Sequence, residues 1–278
     1  MFDFIGILTR TFLGLAPAAS PAPIPHQVGI VIPLAGVPAA TAAVAPMTAN
    51  DVVDSVQKFY ASMKQVTASF RQSVTNDTFG STKTSDGTVW IMKPGKMRWD
   101  YLEKKQGKVE VKKSFISNGT TLYLVEHDNM QVVKKSLQQD LMSVAVSFLY
   151  GQGDLRAEFT AALDTTGKYG AKGDLVLKLT PKKPSAQYKN LILVASPTDF
   201  HVTQSVVIDS SNNINHFRFF APNFEKPIKA QWFEFDERSV KNYRVVDADQ
   251  QQNAGSGSGA PAPSPAPAKP LAPAPAKK

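Results

Sequence analysis

The residues best suited to catalysis or metal binding in this 278-residue sequence are four histidines, His26, His127, His201 and His216. Imidazole binds transition metals and transfers protons near neutral pH, but no two of these histidines have the spacing of a metal-ligand pair. The sequence has neither a G-x-S-x-G nucleophile motif nor a phosphate-binding loop. A Ser-His-Asp triad assembled in space stays open, because its members need not be neighbours in sequence. The pattern favours a protein that is not an enzyme and that uses no metal or cofactor.

Cysteine is absent from the sequence. Its absence excludes disulfides, thiolate metal sites, a cysteine nucleophile and a lipid-modified cysteine within this chain. Asp236 and Glu237 form a pair of neighbouring carboxylates, but they alternate with aromatic residues in a predicted strand. We interpret them as part of a solvated face rather than as a catalytic pair.

Basic residues outnumber acidic ones by 31 to 23, which gives a formal net charge of +8. Four lysine pairs could suggest a nucleic-acid surface: Lys104-Lys105, Lys112-Lys113, Lys134-Lys135 and Lys182-Lys183. Adjacent residues on a strand point to opposite faces, so at most one lysine of each pair can join a common patch. We interpret the pairs as solvated strand edges and hairpin ends, and we expect no nucleic-acid partner.

The composition divides the chain into three parts. Residues 1–47 combine apolar stretches with small residues suited to signal-peptidase cleavage, although Asp3 is unusual there, and we expect an export signal or a disordered leader. Residues 246–278 are dominated from 251 onward by Gly, Ser, Pro and Ala and predict a disordered tail. Residues 48–245 have the length of one folded domain. The leader favours a periplasmic protein, and the absence of cysteine favours one that is not itself lipidated.

The elements of the central domain follow from its hydrophobic periodicity. Residues 51–63 predict an amphipathic helix, and the stretch from Leu137 to Gly151 predicts a second one. Most of the remaining sequence alternates with a period of two, and Asn118-Gly119 is a strong hairpin signal because we expect positive φ at both residues. Further strands are predicted at about 174–180, 189–196, 200–208, 213–220 and 231–236. Many successive strands with inserted helices predict a mainly β (α+β) domain with a strongly curved antiparallel sheet or an incomplete barrel.

The stretch from Gly87 to Glu103, GTVWIMKPGKMRWDYLE, carries unusually large apolar side chains at alternate positions. Val89 and Ile91 precede a Lys93-Pro94-Gly95-Lys96 turn, and Met97, Trp99 and Tyr101 follow it. These side chains would share one face of the sheet. They could fill an ordinary core or line a hollow, and the alternation alone leaves both interpretations open.

The order of these segments resembles the LolA family of periplasmic lipoprotein carriers over about residues 50–240. The resemblance is carried by VTASFRQ, by GTVWIMKPGKMRWDY followed by SNGTTLY, and by the late stretch FRFFAPNFEKPIKAQWFEFDE. It implies an unclosed β-barrel of about ten or eleven strands, with helices forming a lid over a hydrophobic concave face.

The resemblance also implies a site for acyl chains. The implied cavity residues are Val66, Phe70, Val89, Ile91, Met97, Trp99, Leu122 and Leu124, and the implied lid residues are Val56, Phe59, Leu141, Val144 and Phe148. The family typically has an arginine before the proline of the turn, where it holds the lid; this chain has Lys93. Lysine lacks the planar fork of a guanidinium, so we expect a weaker latch at Lys93 or a contribution from Arg98.

The function implied by the resemblance is that of a monomeric periplasmic chaperone. Its cargo would be acylated lipoproteins, its donor an ATP-consuming inner-membrane complex of the ABC type, and its destination an acceptor in the outer membrane. An alternative is a LolA-like sensor of the RseB type, which binds lipid in envelope-stress regulation without transport. An acceptor of the LolB type would need a lipidated cysteine.

Overall fold

The computed structural model describes residues 47–137, 153–185 and 188–250. The predicted leader, the tail from residue 251 onward and most of the second predicted helix lie outside these residues. The helical elements are α1 (Ala49–Ser62), α2 (Leu155–Glu158) and two 3-10 helices, Ala230–Phe233 and Glu237–Val240. The strands are β1 (Gln65–Asn76), β2 (Ser81–Met92), β3 (Lys96–Lys105), β4 (Lys108–Asn118), β5 (Thr121–Glu126), β6 (Gln131–Ser136), β7 (Phe159–Leu163), β8 (Leu175–Pro181), β9 (Asn190–Ala195), β10 (Val202–Ile208), β11 (Ile214–Asn223) and β12 (Arg244–Asp247). Among the described residues, no helix is long and apolar enough to cross a bilayer.

All twelve described strands form a single sheet in the order β12-β6-β5-β4-β3-β2-β1-β11-β10-β9-β8-β7. Neighbours pair antiparallel except β12, which lies parallel to β6. The two halves of the chain meet where β1 pairs with β11. The ends of the sheet, β12 and β7, do not pair with each other, so the sheet stays unclosed. The prediction of an unclosed, mainly β fold is therefore confirmed, with twelve described strands rather than ten or eleven.

Helix α1 begins with a capping box. The Thr48 side chain accepts a hydrogen bond from the Asp51 backbone, and the Asp51 carboxylate accepts one from the Thr48 backbone at 2.8 Å. This reciprocal arrangement satisfies backbone donors that the first helical turn leaves open. The apolar stripe of α1, Val52, Val53, Val56 and Tyr60, is buried in the main core cluster. We call the sheet face that contributes to this cluster the inner face and the opposite one the outer face.

The outer face of β2–β6 is covered by the chain that runs from β11 to β12. Trp232 packs against Trp90 with ring centroids 5.8 Å apart, and Phe235 packs against Tyr123 at 5.1 Å. The prediction of a strand at 231–236 is therefore wrong, because a 3-10 helix begins at Ala230 and the aromatic residues of this segment pack onto an existing sheet. Strand β12 follows and ends at Asp247, past the domain end predicted at residue 245.

The predicted hairpin at Asn118-Gly119 joins β4 to β5, but only Gly119 has positive φ, at 100°. Asn118 contributes through its side chain instead. Its Oδ1 accepts hydrogen bonds from the backbone of Thr120 and Thr121, both at 3.0 Å. The turn therefore uses an Asx contact in place of a second left-handed residue.

Gly87 is the point where β2 passes beneath the ring of Phe70. A Cβ atom at Gly87 would lie 2.3 Å from both the Phe70 ring and the carbonyl oxygen of Asp100. Real side chains do not approach so closely. The absence of a side chain at Gly87 therefore lets an aromatic ring of β1 lie across β2 and reach β3.

We expect Gly87→Ala to lower the free energy of unfolding by about 1–3 kcal/mol, because the added methyl group must displace backbone or ring atoms. Chemical denaturation would measure the loss. Gly80→Ala is the matched control, since a Cβ there meets no atom within 4 Å and only its φ of +59° disfavours alanine. A loss at Gly87 no larger than the loss at Gly80 would contradict the packing argument.

Candidate functional site

The eight predicted cavity residues belong to one apolar cluster on the inner face. They come from four strands, β1, β2, β3 and β5, and each is less than 10% exposed: Val66, Phe70, Val89, Ile91, Met97, Trp99, Leu122 and Leu124. The same cluster includes the stripe of α1 and apolar residues of β7–β11. Strand alternation explains the arrangement, because register pairs Val66 with Ile91 and Val89 with Trp99 across neighbouring strands. The structure thus brings together side chains that lie up to 58 positions apart in sequence.

Aromatic rings form the centre of this face. The Phe70 ring lies 5.1 Å from Trp99, 5.0 Å from Tyr101 and 5.8 Å from Phe217. Rings at these distances and tilts pack favourably edge to face. Phe217 of β11 was not among the predicted cavity residues, although its alternation with Phe219 was a usable signal.

Polar groups are also buried on the inner face, and sequence reasoning missed them. Gln72 Nε2 donates to Asn215 Oδ1 at 2.8 Å between β1 and β11. Trp99 Nε1 and Tyr101 Oη have no hydrogen-bond partner among the described residues. The inner face is therefore not uniformly apolar.

Lys113 is buried, although the sequence analysis interpreted its lysine pair as solvated. It is 3% exposed rather than solvated, and its ammonium lies 4.5 Å from the centre of the Tyr101 ring and 5.1 Å from that of Phe115. Burial lowers the pKa of Lys113 to about 8, against an opposing effect of Glu126 on the paired strand. The attraction between the ammonium and the aromatic rings partly offsets the free energy that Lys113 loses when it is removed from water.

Helix α1, the predicted lid, packs onto the sheet. Val56 is fully buried, and Phe59 packs edge to face against Tyr60 at 5.2 Å and Phe224 at 5.1 Å. The Tyr60 hydroxyl accepts a hydrogen bond from the backbone N–H of Val202 at 3.1 Å. The other predicted lid residues, Leu141, Val144 and Phe148, lie outside the described residues.

Lys93 connects the β2–β3 turn to the end of this helix. Its Nζ donates hydrogen bonds to the backbone carbonyls of Tyr60 and Ala61, the latter at 3.3 Å. These carbonyls belong to the last turn of α1, where no further helical N–H is available to them. Burial lowers the pKa of the Lys93 ammonium.

Arg98 has a different environment from the one expected of a latch. It bonds Asp100 at 2.9 Å, and its guanidinium lies 5.0 Å from the centre of the Trp232 ring. These contacts join β3 to the outer-face segment, and none of the described contacts of Arg98 reaches α1. Of the two predicted latch residues, Lys93 contacts α1, and Arg98 does not among the described residues.

The three described histidines lie apart and each has its own partner. His127 bonds Tyr243 at 2.8 Å, His201 bonds Asp199 at 2.6 Å, and His216 bonds Gln204 at 2.8 Å. Burial lowers the pKa of His216 to about 4, with Arg218 adding to the effect. Within the described ranges, no group of three potential ligands could hold a metal ion.

The described residues form an unclosed sheet whose apolar inner face is buried beneath α1, an arrangement suited to binding an apolar ligand. The chain belongs to the LolA family: the family described as outer membrane lipoprotein carrier protein LolA matches residues 61–236. This membership also confirms the expectation that the protein is not an enzyme. Only the last two residues of α1 lie within the matched range, and strand β12 lies outside it.

Individual relatives are only moderately similar. An outer-membrane lipoprotein carrier protein from Cupriavidus pinatubonensis is 28% identical over 151 residues, which is 52% of this chain and 66% of that protein, just under two thirds of its length. One from Dechloromonas aromatica is 25% identical over 194 residues, or 69% of this chain and 88% of that protein. Among solved structures, MucB in its Pseudomonas aeruginosa complex with MucA aligns with a TM-score of 0.39 and 15% identity over 68% of this chain and 61% of that chain.

We expect Lys113→Met to raise the free energy of unfolding at about pH 7, because folding disfavours the protonated amine. The pKa of Lys113 is about 8 in the folded protein, below its ordinary value of 10.5. The penalty is therefore complete below pH 8 and disappears as the pH rises to 10.5.

Urea denaturation of both proteins at a series of pH values would measure this effect. The stability advantage of Lys113→Met should shrink steadily between about pH 8 and pH 10. Lys178→Met, at an exposed position of β8, is the matched control and should show no such trend. An advantage of Lys113→Met that does not depend on pH would show that the amine is not desolvated.

Proposed function

We propose that this chain is a periplasmic carrier that binds the acyl chains of lipoproteins and delivers them from the inner to the outer membrane. Family membership supports lipoprotein binding, and the observation that carries the proposal is the inner-face cluster beneath α1. An ABC-type complex of the inner membrane would supply the cargo, and an outer-membrane acceptor would take it. The protein would act as a monomer.

The closed structure sets the energetics of such a carrier. Burying one CH₂ group contributes about 0.8 kcal/mol, so one long acyl chain could contribute on the order of 10 kcal/mol. The inner-face side chains are already buried in the free protein, so an acyl chain must replace contacts that α1 makes. The net affinity is the difference between the two sets of contacts, which keeps binding reversible.

The positions of the three tryptophans provide a direct test. Trp99 is buried on the inner face, whereas Trp90 and Trp232 pack against each other on the outer face. In a Trp90→Phe/Trp232→Phe variant, a diacylated lipopeptide with brominated acyl chains should quench the fluorescence of Trp99, because bromine quenches only at short range. In Trp99→Phe the same lipopeptide should quench little. Quenching confined to the outer-face tryptophans would contradict binding on the inner face.

Transport is tested separately from binding. The lipopeptide-loaded protein is mixed with acceptor-containing outer-membrane vesicles, and release is followed by recovery of Trp99 fluorescence. A carrier releases its ligand to the acceptor vesicles. A lipid sensor of the RseB type would bind the lipopeptide and retain it, and that outcome would contradict the transport role.

We further propose that Lys93 acts as the latch of the lid. Lys93→Leu removes two donated hydrogen bonds at the end of α1 and should shift the lid toward open by roughly tenfold. Lys93→Arg adds donors and should favour the closed lid and slow loading. Hydrogen exchange of the α1 amides measures the lid directly, and stopped-flow quenching of Trp99 measures loading.

Lys96→Leu is the matched control, because Lys96 belongs to the same turn and none of its described contacts reaches α1. It should leave both measurements unchanged. If Lys93→Leu behaves like Lys96→Leu, Lys93 does not hold the lid.

A further inference from the structure

The strongest unexplained feature of the inner face is a pair of buried donors on β3. Trp99 is 4% exposed and Tyr101 is 1% exposed, and neither the indole Nε1 nor the phenol Oη has a hydrogen-bond partner among the described residues. Burying a donor without a partner is costly, and folded proteins generally avoid it. Two such donors on one strand therefore call for an explanation.

The two side chains that carry these donors lie on the same face of β3. Residues two apart on a strand share a face, and the ring of Phe70 contacts both, at 5.1 Å from Trp99 and 5.0 Å from Tyr101. Burial raises the pKa of the Tyr101 hydroxyl well above its ordinary value, so the oxygen keeps its proton. Both side chains are therefore protonated donors on the inner face next to Phe70.

A cationic group borders the pair. The Lys113 ammonium lies 4.5 Å from the centre of the Tyr101 ring, and strand register places Lys113 directly opposite Tyr101. A ligand atom at this place would meet two neutral donors and a nearby positive charge. The matching ligand group is an acceptor that carries partial negative charge and no proton of its own.

We propose that Trp99 Nε1, Tyr101 Oη and Lys113 form a polar subsite that binds the carbonyl oxygens at the head of an acyl chain. This inference rests on the proposed acyl-chain binding and adds a group that the apolar face alone does not recognise. A carbonyl oxygen accepts two hydrogen bonds and donates none, which fits this donor set. The acyl chain would extend from the subsite across the apolar side chains of β1–β5.

The experiment compares ligands that differ only in this oxygen. A synthetic diacylglyceryl lipopeptide with ester linkages and its dialkyl ether analogue have the same chains, but the ether lacks carbonyl oxygens. Both compete against a fluorescent fatty acid on the native protein, and palmitate serves as a third ligand. We expect each donor to strengthen binding of the diester about fivefold relative to the diether. Together the two donors should make the diester bind at least about tenfold more tightly. If palmitate binds strongly and the diester shows no advantage over the diether, the subsite recognises a carboxylate and the proposal is overturned.

Two variants assign the preference to the donors. Tyr101→Phe removes one oxygen and keeps the ring, and Trp99→Phe removes the indole N–H; each should reduce the ester preference about fivefold. Tyr101→Phe should also raise the melting temperature of the free protein, because it removes an unpaired buried hydroxyl. Should Trp99→Phe fail to fold, Tyr101→Phe alone decides the result.

The chain offers matched controls on the outer side. The Tyr169 hydroxyl is also buried without a partner among the described residues, but it packs against the cluster of Val176, Ile192, Val194 and Val206. Tyr169→Phe and Trp90→Phe should leave the ester preference unchanged.

The possible failures are distinguishable. If neither glyceryl ligand binds the native protein, the proposed function itself fails. If both bind equally, acyl binding stands and the polar subsite is overturned. Equal losses of diester and diether affinity in Tyr101→Phe would mean that the hydroxyl only supports packing, and would also overturn the subsite.

Discussion

Covering one apolar face of an unclosed sheet is the constraint on which the rest of this structure depends. A closed barrel hides its interior by geometry, but here the inner face must be covered by other elements. Helix α1 covers part of it with Val52, Val53 and Val56, and its last carbonyls receive the Lys93 ammonium from the sheet. The amine is well placed electrostatically, since the C-terminal end of a helix carries partial negative charge.

The two faces of the sheet are covered in different ways. On the outer face, the segment between β11 and β12 is held by aromatic pairs, by Arg98 against Trp232, and by pairing of β12 with β6. On the inner face, the described cover is α1 together with α2. Helix α1 is bonded to the sheet by the Lys93 ammonium and the Tyr60 hydroxyl. Helix α2 bonds α1 through the Arg156–Asp54 ion pair at 2.8 Å and through the Leu155 N–H, which donates to Gln57 Oε1 at 2.7 Å. The outer-face segment is thus joined to the sheet by backbone pairing of β12, whereas α1 is joined to the sheet by side-chain hydrogen bonds and apolar contacts.

Much of this arrangement follows from the sequence, and the failures have physical causes. The inner-face set from Val66 to Leu124 was implied by the resemblance to the LolA family, and strand alternation explains it, because every second residue of a strand lies on one face. The 3-10 helix at Ala230 was not, because its aromatic residues alternate like those of a strand while packing onto an existing sheet. Strand β12 was missed because only four residues pair, in parallel with β6.

The buried polar groups mark the limit of pattern reasoning. Lys112 and Lys113 are identical in type, and only strand register decides that Lys113 faces the inner side. A bulge between Tyr101 and Leu102 of β3 shifts that register locally, and a bulge has no sequence signature strong enough to place it. The roles of Lys93 as latch and of the cavity residues as ligand contacts stay predictions.

Within the part of the chain that the structure describes, β12 and β7 are the edge strands of the sheet, and their lengths bear on self-association. Exposed backbone groups at a sheet edge can pair with a second molecule and start aggregation. Here β12 has four residues and β7 has five, whereas the central strands β1 and β2 have twelve each. The long strands are therefore enclosed within the sheet, and a second copy would find only short stretches of backbone to join. If the proposed carrier opens its apolar face to bind lipid, that distribution of strand lengths would limit pairing between copies of the chain.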